Sequence, residues 1–147
     1  MTSNVKYIPD GYQAVIPYLV VEDVAELVDF ITRVFDGKEG HRSMRPDGTI
    51  MHTEVRIGDS VVMMGGANQQ WKAMPAGLYI YVPDTDAAYK RALEAGATSV
   101  MEPANQFYGD RNAGVKDYAG NYWWIGTHIE DVSPEEIEKR YAASGRR

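Results

Sequence analysis

Residues 107–128 read FYGDRNAGVKDYAGNYWWIGTH. RNAGVKD and NYWWIGTH have the look of two strands joined by a turn at Gly120. Side chains alternate between the two faces of a strand, so the adjacent Trp123 and Trp124 point in opposite directions. One indole can belong to a core. The other needs a different partner, and finding it requires the rest of the chain.

Upstream, GLYIYVPD (77–84) reads as a strand and DTDAAYKRALEAG (84–96) as a helix, with Asp84 at its cap and Gly96 at its end. TSVMEP supplies a further strand. The first half has the same order. AVIPYLVVED (14–23) is a buried-type strand, and DVAELVDFITRVFDG (23–37) spaces Val24, Leu27, Val28 and Ile31 as a helix does. Asp23 and Glu26 form a capping-box pattern, and Gly37 suits the C-terminal cap. KEGHRSMRPDG, IMHTEVRIG and SVVMMGG then read as three strands with turns at Asp47-Gly48 and Gly58-Asp59. Asp84 lies 61 residues beyond Asp23, and Gly120 lies 61 beyond Asp59. The prediction is therefore an α+β fold of two βαβββ modules, near 14–66 and 77–128, within one domain spanning 1–147. ANQQWKAMPA links them. SPEEIEKRYAA adds a helix near 133–143, capped by Ser133, with Pro134 at its first position and Glu136 completing the box.

Bulk composition narrows the function classes. The net charge of −6 argues against a nucleic-acid partner, whose phosphates need a basic face. It is compatible with a cationic ligand. With no cysteine, thiolate metal sites, disulfides and cysteine nucleophiles are excluded. No apolar run approaches the roughly 20 residues of a membrane helix, and MTSNVKYIPDG has no signal-peptide core, so a cytoplasmic protein is expected. GxGxxG, P-loop and GxSxG patterns are missing from the sequence.

The paired modules, with FYGDRNAGVKDYAGNYWWIGTH and IPYLVVEDVAELVDF as their most specific stretches, resemble the vicinal oxygen chelate superfamily of glyoxalases, bleomycin-resistance proteins and dioxygenases. Together these stretches resemble its PhnB-like, bleomycin-resistance-like branch. It implies curved sheets with helices on the convex side, a ligand on the concave side, and a homodimer. Metal enzymes of the superfamily take His, Gln or Glu ligands from the first and last strands of each module. The matching positions here are Ile16, Met63, Gly77 and Trp124. These are unsuited to a hard or borderline divalent ion, so no metal cofactor is expected.

In that frame Trp123 and Ile125 face the helices with Val62, Met64, Leu78, Ile80 and Val82. Tyr18, Met63, Tyr79, Tyr81, Tyr122 and Trp124 line the cup. An aromatic wall of this kind suits a small organic molecule, aromatic or cationic; the alternative is a cup packed shut on its own side chains. On IMHTEVRIG, Ile50, His52, Glu54 and Arg56 share one face, and Met51, Thr53, Val55 and Ile57 share the other. His52 and Glu54, two apart, could form a hydrogen-bonded acid–base pair, two ligands of a displaced metal, or part of an ion cluster with Arg56. In FYGDR, Tyr108 could stack on a ligand, and Asp110 and Arg111 could pair or hold an anionic group. Trp71 could cap the cup or bury itself in a dimer interface. Three functions compete: metal-free sequestration of a small molecule, as in antibiotic-resistance proteins; a lyase, isomerase or dioxygenase using a relocated metal or the His52–Glu54 pair; and a non-catalytic interaction module.

Overall fold

A computed structural model describes residues 4–145. The chain divides between Pro75 and Ala76 into two compact units, each with its own sheet.

The first unit runs β1 (Tyr18–Val21), α1 (Val24–Phe35), β2 (Lys38–Glu39), β3 (Ser43–Met44), β4 (Ile50–Ile57) and β5 (Ser60–Gly66). Its sheet has the order β1-β5-β4-β2, and β3 also pairs with β4. β1 lies parallel to β5, as a strand–helix–strand crossover requires, and the other pairs are antiparallel. Asp23 accepts a hydrogen bond from the Glu26 amide and starts α1. The helix buries Val24, Leu27, Val28, Phe30, Ile31, Val34 and Phe35. This stripe packs on β4 and β5, where Val55, Val62 and Met64 are buried. Each such side chain contributes about 1.5–3 kcal/mol by leaving water, so Ile31→Ala would cost about 2–5 kcal/mol with its cavity.

Two details differ from the sequence expectation. The left-handed residue ending α1 is Asp36 (φ 54°), not Gly37. Gly37 is needed for closeness instead: a Cβ there would stand 2.6 Å from Val55 Cγ1 and 2.9 Å from Ile31 Cγ2. The strand expected over KEGHRSMRPDG is broken into β2 and β3. Ser43 pairs with His52 and Met44 with Ile50, so Met51 is an extra residue on β4, a bulge. The bulge reverses the expected faces of Ile50 and Met51: Ile50 is buried and Met51 exposed.

The second unit runs β6 (Gly77–Tyr81), α2 (Thr85–Glu94), β7 (Thr98–Asn105), β8 (Asp110–Lys116), β9 (Tyr122–His128) and α3 (Pro134–Ala143), with sheet order β6-β9-β8-β7. Asp84 caps α2 through the Ala87 amide, and Gly96 (φ 99°) follows its end. Ser133 caps α3 through the Glu136 amide, while the Glu136 carboxylate pairs with Arg140. Ala88 and Ala92 bring α2 close to the sheet, over the fully buried Trp123 and Ile125. Leu78, Ile80 and Val82 are only half-buried. Asp117 locks the β8–β9 turn: its carboxylate accepts from the Ala119 and Asn121 amides, Asn121 Nδ2 and Trp123 Nε1 at 2.8–3.0 Å. That bond satisfies the buried Trp123 indole. No described helix is long and apolar enough to cross a membrane.

Candidate functional site: a glycine-floored aromatic wall in each unit

Strand registers bear out the 61-residue repeat. Tyr18 pairs with Met63 in the first unit, and Tyr79 pairs with Trp124 in the second. One step on, Val20 pairs with Gly65 and Tyr81 with Gly126. Registered neighbours project from the same face of a sheet, so each unit presents aromatic side chains beside bare glycine backbone.

In the second unit, Trp124 lies over Gly114 and Tyr79 over Gly126. A Cβ on either glycine would collide with the ring above it. Tyr79 Oη donates to Asp110 Oδ2 (2.7 Å) and accepts from Asn112 Nδ2 (3.0 Å). Asn112 Nδ2 also donates to Tyr108 Oη (2.6 Å). Tyr79, Tyr108, Asn112 and Trp124, with Met101 and Gln106, line a cavity of about 380 Å³. The buried Asn112 Oδ1 has no hydrogen-bond partner among the described residues. Trp123 is therefore core, and Trp124, on the opposite face, lines a cavity.

Asp110 is buried and receives hydrogen bonds from Tyr79, Tyr81 (2.8 Å) and His128 Nδ1 (2.9 Å). Desolvation pushes its carboxyl up, but these bonds together outweigh it and hold the carboxyl below the usual range. The same contacts push His128 up, through Asp110 first and Asp131 second. Burial, more than the bond to Asp110, pushes the Tyr79 phenol far up, so Tyr79 stays protonated.

The remaining aromatic and polar candidates of this unit lie outside the lining. Tyr81 reaches Asp110, and Tyr122 meets Trp124 edge-on at 6.1 Å with Lys116 Nζ over its ring. Arg111 forms a two-pronged ion pair with Asp86 on α2 and bonds Asn105. Asp110 and Arg111 are thus neighbours in sequence with separate partners.

In the first unit, Tyr18 lies over Gly65, where a Cβ would stand 2.7 Å from its hydroxyl, and it shares a 3.0 Å hydrogen bond with His52 Nδ1. Glu54 accepts a 2.6 Å bond from Tyr12 Oη, which pushes the Tyr12 phenol up. Among the described residues each of His52 and Glu54 has a tyrosine partner, so the spacing that allows a His–Glu pair is used otherwise. Tyr18 and His52 line a cavity of about 770 Å³ with Arg45, Met51, Trp71 and Met74; Glu54 and Met63 do not. Trp71 is held there by Asn68, whose side chain accepts from the Gln70 and Trp71 amides, and Met74 bonds the edge of β1 through Val20. The sequence reading missed Arg45, Met51 and Met74. Arg45 stands in the RPDG turn, and Met51 owes its exposure to the bulge.

The residues do not fit the metal of the superfamily's enzymes. Ile16, Met63 and Trp124 offer neither imidazole nor carboxylate, and Gly77 has no side chain. Among the described residues no three His, Cys, Asp or Glu side chains gather as metal ligands.

Comparison with known proteins accords with this geometry. Residues 13–125 match the family model of the Glyoxalase/Bleomycin resistance protein/Dioxygenase superfamily. The uncharacterized protein Mb0911c of Mycobacterium bovis is 34% identical over 143 residues, covering 90% of this chain and 94% of that protein. TioX from Micromonospora has the same fold at a TM-score of 0.68, with 24% identity over 80% of this chain and 99% of its own. The fosfomycin resistance protein FosX of Listeria monocytogenes, whose structure holds Mn(II) and sulfate, aligns at a TM-score of 0.63 with 15% identity, over 88% of this chain and 97% of its own. At these identities the two structures speak for the fold. The chain belongs to the glyoxalase/bleomycin resistance protein/dioxygenase superfamily.

Proposed function

We propose that the protein binds a planar aromatic small molecule, without a metal, against its glycine-floored aromatic walls. The observation that carries this reading is the pairing of Trp124 over Gly114 with Tyr79 over Gly126 beside an apolar cavity. Glycine beneath a ring leaves the outer face of that ring free to stack, and an offset aromatic pair contributes about 0.5–1.5 kcal/mol beyond the area it buries. The acidic net charge suggests a cationic ligand, but neither aromatic cavity has a carboxylate in its lining. Asp110, the nearest buried one, is already engaged by three donors. A neutral or anionic aromatic compound suits these walls better than a cation. The superfamily adds the expectation of a homodimer, and the composition that of a cytoplasmic protein.

The test is titration with the neutral dye phenylnaphthylamine in wild type, W124F and W71F. Saturable binding weakened by W124F or W71F supports the reading and says which unit is used. No binding by this dye or by a panel of fused-ring aromatics would reject it.

An enzymatic reading draws on one observation: Tyr18 and His52 share a hydrogen bond within the larger cavity. It would make His52 the proton carrier, with Tyr18 orienting it and Glu54 diverted to Tyr12. Turnover of a bound compound that is lost in H52Q would move this reading forward.

A further inference from the structure

From the first unit's cavity we infer an organic-anion site: it takes an aryl carboxylate or sulfonate, with Arg45 as the counter-ion and Tyr18, Trp71, Met51 and Met74 around the apolar part. This deepens the proposed function, on whose aromatic wall it rests. Arg45 comes from the turn between β3 and β4. Its Nη2 donates to the Gly66 carbonyl at 2.8 Å, and its Nη1 approaches Thr49 Oγ1 at 3.5 Å. The guanidinium lies against Gly66, itself part of the lining; a Cβ there would stand 2.7 Å from Nη1. Gly66 thus does for Arg45 what Gly65 does for Tyr18. A guanidinium has five N–H donors, and these two contacts leave most of them open.

The electrostatics point the same way. Among the described residues no carboxylate ion-pairs with Arg45, in contrast to Arg42, Arg111 and Arg140. On its other side Arg45 borders a second cavity, about 650 Å³, that Glu22, Asp23 and Asp47 share. Asp47 feels the Arg45 charge without a salt bridge to it, and its carboxylate accepts from the Thr49 amide and hydroxyl. The aromatic cavity itself holds no acidic side chain. His52, also in the lining, offers one open ring nitrogen: Nδ1 is bonded to Tyr18, and Nε2 has no partner among the described residues. A cavity of about 770 Å³ is in the range that holds a drug-sized molecule.

The experiment uses two dyes that differ by one charged group, anilinonaphthalene sulfonate and phenylnaphthylamine, titrated into the intact protein. Wild type should bind the sulfonate about tenfold or more tightly than the neutral dye, as a charge-assisted hydrogen bond implies. R45M should abolish that preference by weakening the sulfonate much more than the neutral dye, and R45K should keep much of it. Raising the salt concentration should weaken the sulfonate alone. If both dyes bind but R45M and salt do not separate them, the anion site is overturned and the aromatic wall stands. If neither dye binds, the anion site fails, and with no binding by the fused-ring panel the aromatic wall fails too. Should R45M not fold, R45K and the salt series decide by the same criteria.

Discussion

Replacing Gly114 by alanine tests whether the Trp124 ring is seated by the missing side chain beneath it. Gly114 is central in β8 and in register with Trp124 on β9. A Cβ at this position would run into Cζ3 and Cε3 of the indole and stand 3.3 Å from Cη2. The ring is rigid and its strand is paired on both sides, so relief requires tilting the indole or parting β8 from β9. Overpacking of this kind costs about 1–3 kcal/mol. Exchanging glycine for alanine inside a strand returns roughly 0.5–1 kcal/mol. Gly77 in β6 is the matched control, because a Cβ there meets nothing within 4 Å. Gly77→Ala should therefore stabilise by roughly 0.5–1 kcal/mol. Gly114→Ala should fall below it by about 1–3 kcal/mol, or very roughly 2–12 °C in Tm at this chain length. The assay is thermal and urea unfolding of both variants, with phenylnaphthylamine titration alongside. G114A should lose dye affinity at the second unit and G77A should not. Equal stability of the two variants, with equal dye binding, would refute the seated-ring geometry.

Other outcomes follow from the same contacts. Asp117→Ala removes one acceptor from four donors around the buried Trp123 and Asn121, and should destabilise by about 3 kcal/mol or more in urea unfolding. Because His128 is raised by Asp110, its contribution to stability is full below its unfolded pKa of about 6.5 and disappears as pH rises through its folded value. Asp110 is lowered, so its contribution holds above about pH 3.9 and is lost as pH falls through its own folded value. Wild type should thus show a stability maximum between these limits that is flattened in H128Q, as pH-dependent unfolding would reveal. Gly66→Ala should displace the Arg45 guanidinium and weaken sulfonate-dye binding about as much as R45M, read by the same titration.

The repeat was legible because it rests on local chemistry. Asp23, Asp84, Gly96 and Ser133 act through caps and turns spanning a few residues, and such signals survive in a single sequence. Alternation likewise separated Trp123 from Trp124 without knowledge of the fold. What escaped depends on contacts distant in the chain. Arg45 looks like turn punctuation until Gly66, 21 residues on, is seen to receive it. Met51 breaks the two-residue period because of a bulge set by β3, and a periodicity argument assumes that no bulge occurs. Arg111 pairs with Asp86, 25 residues away, rather than with its neighbour Asp110. Gly37 looks like a cap residue in the sequence, whereas its role is to let α1 approach Val55. The aromatic residues of the wall could be named from alternation; which of them open on a cavity could not, since Tyr81 and Tyr122 share a face with Tyr79 and Trp124 but stand outside the lining.

The most direct test of a metal-free aromatic binder is elemental analysis of untagged protein, paired with dye titration before and after chelation. Such a binder carries no stoichiometric Zn, Mn, Fe or Ni and shows a dye affinity indifferent to chelator. Near-stoichiometric metal whose removal abolishes dye binding would contradict it.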